Sequence, residues 1–227
     1  FGRKNKLKKL NKKIKFKIAS DGSSASGKTT GGKLISRKFN MKFLSSGSLY
    51  RFCALRIIEN NNDYNNRFIN KIVKSITLKK LQNKKLYSPE VAKLSSIIAK
   101  KKIVRNALKS FQVNFIKKSR LVVVEGRDIG SVIMPNADLK LFFTCSTKEK
   151  ARRRLKEFKN KYRKITLKQV EKSLIQRDKD DTKRKISPLI MTKNAVLVDT
   201  TKLSLKQMEA KLIYLVKTSI KKKYGNI

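Results

Sequence analysis

Eight residues, Gly22-Ser23-Ser24-Ala25-Ser26-Gly27-Lys28-Thr29, restrict the folds open to this chain more than any other feature. They spell G-x-x-x-x-G-K-T, and the fixed positions each have a physical reason. The glycines let the backbone turn tightly and bring its N–H groups close to an anion. A helix starting next adds the positive end of its dipole. Lys28 can reach β- and γ-phosphates, and the Thr29 hydroxyl suits a magnesium ion. The setting is the required one. Ile14-Lys15-Phe16-Lys17-Ile18 alternates apolar and charged residues, a strand that leads into Gly22, and Thr29 to Phe39 reads as a helix. A strand, this loop and a helix in that order make a phosphate-binding loop, or P-loop.

The rest of the chain continues the alternation. Phe43-Leu44 reads as a short strand and Leu49 to Glu59 as a helix. Asn60 to Asn70, with five Asn in its first seven positions, has the composition of a loop. Ser88-Pro89-Glu90 is a helix start, with Ser as N-cap and Pro at the first helical position. That helix runs through Val91, Leu94, Ile97 and Ile98, and a second follows from Val104 to Lys117. Leu121-Val122-Val123-Val124 suits a parallel strand buried on both faces. Leu139 to Phe143 is another strand, with a helix from Lys148, and Leu155 to Lys185 is highly charged and helical in parts. Ala195 to Val198 is a last strand and Ser204 to Lys221 a closing amphipathic helix. Such alternation predicts a three-layer α/β fold of the P-loop NTPase type around a parallel sheet.

Charge narrows the chemistry less than its size suggests. Of 227 residues, 59 are Lys or Arg and 15 are Asp or Glu, a formal net charge of +44. Lys outnumbers Arg 45 to 14, and Ile and Asn are also abundant, the bias of AT-rich codons rather than of a dedicated polyanion surface. No run alternates basic and aromatic residues as a nucleic-acid stacking platform would. His is absent, which removes Ser-His-Asp triads and His-ligated metals from the possible mechanisms. The longest uncharged stretch is the nine residues Ile129–Ala137, against the roughly 18 apolar residues of a membrane span. Cys53 and Cys145 form no disulfide framework and suit a reducing compartment. Residues 1–14 read as a basic solvated tail, without the apolar core of a signal peptide.

Three further segments select among P-loop proteins. Phe43-Leu44-Ser45-Ser46-Gly47-Ser48-Leu49-Tyr50-Arg51 lies one helix after the loop. Gly126-Arg127-Asp128-Ile129-Gly130-Ser131-Val132 follows the central strand, and Arg177-Asp178-Lys179-Asp180-Asp181-Thr182-Lys183-Arg184 lies further on. No N-K-x-D motif follows any strand, which disfavours a GTPase. In order and spacing these segments resemble bacterial cytidylate (CMP) kinase, from about Ile18 to Val216. The resemblance implies a core over 15–227, a monophosphate-binding insert at about 60–100 and a helical lid at about 155–185. It also implies magnesium-dependent transfer from ATP to CMP, and to dCMP, in pyrimidine metabolism. The setting it implies is a cytoplasmic monomer acting on small molecules, with no membrane and no specific nucleic acid as partner.

Residue by residue, the resemblance sets Gly22 through Thr29, with Thr30, on the phosphates of ATP. Ser96, Arg105 and Asp128 fall where the family reads the cytosine edge. Hydrogen-bond chemistry agrees, because Asp accepts from the exocyclic amine while Arg donates to N3 and O2. Arg51, Arg127 and Arg184 fall where the family grips the acceptor phosphate, with Ser46 and Tyr50 in the same substrate set. Arg177 and Asp181 fall on the ribose. Lys28, Arg127, Arg184, Arg153 and Arg154 form the catalytic set, the last two from the lid. Thr29 and Glu125 are the metal candidates.

Departures from the family pattern are also specific. Ser45 stands where Asp is usual, Ser23 and Ser24 replace a common Pro-Ser pair, Glu125 replaces Asp, and Tyr87 stands where many members carry Arg. The insert is short for the small β-rich subdomain the family places there. Two other readings stay open on the sequence: a kinase for UMP, AMP or another small metabolite, and a basic nucleic-acid-binding protein with a vestigial P-loop.

Overall fold

A computed structural model of the chain describes residues 14–61, 63–159 and 165–225. Five parallel strands form one sheet in the order β2-β3-β1-β4-β5. They are β1 (Phe16–Gly22), β2 (Lys42–Ser45), β3 (Leu121–Gly126), β4 (Leu139–Thr144) and β5 (Ala195–Asp199). Between β1 and β3 the register sets Ser20 opposite Glu125 and Asp21 opposite Gly126. Between β2 and β3 it sets Ser45 opposite Glu125. Because every pair is parallel, the carboxyl ends of the strands share one edge of the sheet. That edge, flanking the central β1, is where open α/β sheets hold ligands.

Alternation along the strands divides the hydrophobic interior between two faces. On β3, Leu121 and Val123 join Phe16, Ile18, Leu141 and Phe143 beneath α1 (Lys28–Phe39) and α8 (Leu205–Tyr224). Val122 and Val124 point the other way, into a cluster with Leu44, Phe52, Ile57, Leu86 and Leu108. That face is covered by α2 (Ser46–Ile58), α3 (Asn66–Lys74), α4 (Pro89–Ile98) and α5 (Lys102–Lys117). Each fully buried Val or Leu contributes about 1.5–3 kcal/mol, so period-two patterning on β3 holds both layers at once. The expected three-layer arrangement follows.

Two helices stand apart from these cores. α6 (Thr147–Lys159) and α7 (Leu167–Lys183) share a small cluster of Ala151, Val170 and Leu174, against which Ala25 of the phosphate loop packs. They span the segment expected at about 155–185, with α6 beginning before it at Thr147, and residues 160–164 lie outside the described residues. The basic tail lies outside them as well, except Ile14, which is buried and accepts a 2.6 Å hydrogen bond from Arg120.

Two local expectations need correction. The Asn-rich stretch is not a loop throughout, because α3 begins inside it with Asn65 as N-cap, accepting from Phe68 N at 2.9 Å. Asn is favoured at caps as well as in turns, and Phe68, Ile69, Ile72 and Val73 supply the apolar face behind it. The insert is also helical rather than β-rich. Its described residues hold α3, two short 3-10 turns (Lys80–Gln82 and Lys84–Tyr87) and α4, with no strand. Leu81 and Leu86 from the turns are buried under α2, which fixes the short insert by packing rather than by a ladder. Among the described residues, no helix is long and apolar enough to cross a membrane.

Candidate active site

A cavity of about 760 Å³ opens at the carboxyl edge of the sheet, between the phosphate loop, the insert and the lid. Nine cationic and five acidic side chains line it, an excess of four positive charges in a partly closed space. Such a lining suits a ligand carrying several negative charges.

The phosphate end is built from backbone. Gly22 has φ +153°, and a Cβ there would stand 2.2 Å from the carbonyl oxygen of Phe143, so only glycine lets β1 turn so close to β4. Gly27, at φ +84°, is the N-cap of α1 and offers no side chain to the first N–H groups of that helix. α2, α3, α4, α7 and α8 all have side-chain caps. The start of α1 is thus left open toward the cavity, as an anion site requires. Lys28 donates to the carbonyl of Ser23 at 3.1 Å. Burial and the nearby Arg127 and Arg177 lower its ammonium to about 7, against the opposing pull of Glu125.

A network of arginines and carboxylates forms the floor. Arg127 donates to Asp181 at 2.7 Å and to Ser24 Oγ at 2.8 Å, and Asp181 holds the buried guanidinium above its usual pKa despite the cost of desolvation. Asp178 receives Ser24 N at 2.8 Å and Lys150 at 2.6 Å, which ties α7 and α6 to the phosphate loop. Asp128, only 4% exposed, is hydrogen-bonded to Arg105. Its other oxygen lies 3.7 Å from Arg184, too far for a hydrogen bond. Arg105 also donates to Ala99 O at 3.2 Å and lies over the Tyr50 ring at 5.8 Å. Two guanidiniums lack a full set of partners. Arg177 Nε is buried without a hydrogen bond, and burial and Arg127 lower the group to about 10. Arg184 donates to Ser187 O at 2.6 Å, but its Nη2 is buried and unmatched.

The lid supplies the far wall. Arg153 donates to Glu149 at 3.1 Å and to the hydroxyl and carbonyl of Thr200 at 2.9 and 2.7 Å, so α6 is pinned to the loop after β5. Thr200 in turn donates to Ser26 O at 3.0 Å. Arg154 bonds Glu157 at 2.7 Å. On the insert side, Arg51 donates to Leu86 O at 3.1 Å and its guanidinium sits 5.3 Å from the Tyr87 ring centroid. Desolvation and the like charges of Arg154 and Arg127 lower it.

The sequence-derived residues converge on this cavity. Ser24 through Thr30, Ser46, Tyr50, Arg51, Ser96, Arg105, Glu125, Arg127, Asp128, Arg153, Arg154, Arg177, Asp181 and Arg184 all line it. Gly22 and Ser23 do not. They sit behind the loop, Gly22 against Phe143 and Ser23 as the acceptor for Lys28 and Ser26. Asp21 belongs to the framework without having been singled out as a site residue. It accepts Ile129 N at 2.8 Å and Gly130 N at 2.6 Å and so holds the single π-helical turn after Arg127 and Asp128. Desolvation raises it to about 6, opposed by those two hydrogen bonds. Its signal in the sequence is its place as one of only 15 acids in the chain, directly before the phosphate loop. Thr200, Leu203, Leu205 and Met208 also line the cavity and carried no motif at all.

A parallel sheet with this loop at the end of its central strand, facing a cationic cleft under a helical lid, defines a P-loop kinase. Comparison with known proteins specifies which kind. The family model for cytidylate kinase matches residues 18–218, and the chain belongs to that family. It is 35% identical over 214 residues to the cytidylate kinase of Thermotoga maritima, covering 89% of this chain and 97% of that one. With the cytidylate kinase of Fusobacterium nucleatum it shares 38% over 203 residues, covering 84% and 92%. Among solved structures, an uncharacterized protein from Eubacterium ventriosum shares the fold at a TM-score of 0.50 and 12% identity, covering 90% of this chain and 99% of that one.

Proposed function

We propose that the protein transfers the γ-phosphoryl group of ATP to CMP, and to dCMP, giving ADP and CDP or dCDP. The observation that carries the cytosine assignment is Asp128. It is a buried carboxylate bonded to Arg105 on one oxygen, with the other 3.7 Å from Arg184 and beyond hydrogen-bond distance of it. That oxygen can accept the exocyclic amine of cytosine, while Arg105 donates to O2 and N3. Uracil presents a carbonyl and an N–H at those positions, which would face acceptor with acceptor and donor with donor.

ATP fits the donor side of the cavity. Its phosphates meet the N–H groups at the open start of α1 and the Lys28 ammonium, and its adenine lies toward Leu203, Leu205 and Met208. Arg153 and Arg154 approach the transferring phosphoryl group from the lid. The CMP phosphate falls among Arg51, Arg127 and Arg184, and its ribose hydroxyls meet Asp181 and supply the partner that the buried Arg177 Nε lacks. Phosphoryl transfer spreads charge over the non-bridging oxygens, so cations held in a water-poor cleft stabilise it. The attacking phosphate oxygen is already anionic, so no general base is required, in keeping with a chain that has no His.

The donor set fits magnesium held mainly by phosphate oxygens. Among the described residues no group of three or more metal-ligating side chains exists. Thr29 and the buried Glu125 both line the cavity and suit an ion kept partly hydrated, Glu125 acting through water. A bound magnesium ion, held by Thr29 and, through water, Glu125, would offset the negative charge of the phosphates.

Coupled ADP release with CMP, dCMP, UMP and AMP tests the proposal. CMP and dCMP are expected to turn over, with Lys28→Ala inactive on both. Faster turnover of UMP or AMP would overturn the cytosine assignment.

A further inference from the structure

Glu125, the penultimate residue of β3, lines the phosphate half of the cavity and is 3% exposed. Lys28, Arg51 and Arg127 each lie within reach of its charge. A displaced carboxylate would therefore disturb three phosphate-facing cations together. A Glu side chain has three rotatable bonds, and holding it still requires a partner. The partner is Ser45, whose hydroxyl donates to Oε1. Ser45 ends β2 and is the register neighbour of Glu125 across the sheet. Its Oγ also accepts Ser48 N at 3.2 Å, capping α2, the helix that carries Tyr50 and Arg51.

We propose that Ser45 is a positioning residue for phosphoryl transfer. Its hydroxyl fixes the Glu125 carboxylate at the phosphate end of the cavity while the same oxygen anchors the start of α2. This role rests on the kinase reading and deepens it.

Three variants separate the two duties of the hydroxyl. Ser45→Ala removes both. Ser45→Gly leaves the cap of α2 nearly intact, since Gly is tolerated at N-caps, but removes the bond to Glu125. Ser45→Thr keeps both. With CMP and ATP, Ser45→Ala is expected to lower kcat about tenfold, the scale of one hydrogen bond to a charged group, with KM for CMP within about twofold. Ser45→Gly is expected to lose as much kcat with a smaller fall in melting temperature than Ser45→Ala, and Ser45→Thr to rescue. Calorimetric titration with ADP, with and without magnesium, supplies a readout independent of turnover. Ser45→Ala and Glu125→Gln should both shrink the magnesium-dependent gain in affinity, and the double variant should shrink it no further. The inference is overturned if Ser45→Gly matches the wild type in kcat and in magnesium gain, or if the two losses simply add. A wild type inactive on CMP would instead contradict the kinase reading, and the titrations would still decide the role of Ser45.

Discussion

Lys28 concentrates the electrostatic problem of this site in one residue. Desolvation and the neighbouring Arg127 and Arg177 leave its ammonium near 7, where an exposed lysine stays charged to about 10.5. Between those pH values the folded chain binds fewer protons at Lys28 than the unfolded chain. The burial cost is therefore fully present below about pH 7 and is relieved as the pH rises toward the unfolded value. A bound triphosphate reverses the balance by supplying the missing negative charge. ATP binding at pH 8 is expected to take up a proton at Lys28, and calorimetry in two buffers of different ionisation heat measures it. Lys28→Arg should abolish that uptake, and its persistence in the variant would place the titrating group elsewhere. At this scale the sequence was legible where a motif marked a position, as at Lys28, Arg127 and Asp128, which all line the cavity. It was silent on Ser45 beyond marking it as unusual, because a bond between neighbouring strands depends on register, which spacing along the chain does not give.

At the scale of elements, the strands and most helices could be read because each had a clear period or a clear boundary. The continuous apolar run of β3 implied burial on both faces, and Ser88-Pro89 placed the start of α4 correctly. The insert departs from the β-rich subdomain implied by the resemblance because the apolar spacing of Phe68-Ile69-Ile72-Val73 favours a helix. The lid segment was foreseen as charged and helical, but its latch was not. Arg153 reaches three acceptors on Glu149 and Thr200, and Thr200 reaches back to Ser26 of the phosphate loop. Arg153→Ala should therefore loosen α6 and remove a cation from the donor side together. The expected result is a kcat reduced about a hundredfold, the range seen when one transition-state donor is lost. The melting temperature should change little, because α6 and α7 keep their own small cluster. Pre-steady-state measurement of the chemical step checks it, and an unchanged rate would confine Arg153 to a structural part.

For the whole molecule, the net charge of +44 is background on which the site is selected. Lys is spread along the chain, while seven of the 14 Arg (51, 105, 127, 153, 154, 177 and 184) line one cavity. A planar guanidinium suits paired contacts to carboxylates and phosphates, which a lysine makes only as a point charge. The diffuse excess has a kinetic consequence. It should raise the encounter rate with anionic nucleotides, so kcat/KM is expected to fall as salt rises from low to physiological ionic strength while kcat holds steady. Initial rates across a salt series test this, and a salt-dependent kcat with constant kcat/KM would contradict it.

The central claim, that Asp128 reads a cytosine within a phosphoryl-transfer site, is tested most directly by the ratio of kcat/KM for CMP to that for UMP. The ratio is measured in the wild type and in Asp128→Asn. Asn replaces one acceptor oxygen by a donor able to meet the O4 of uracil. The wild type should favour CMP by at least about a hundredfold, and the variant should bring the two substrates within about tenfold of each other. A wild-type ratio near one, or a ratio that Asp128→Asn leaves unchanged, would contradict the account.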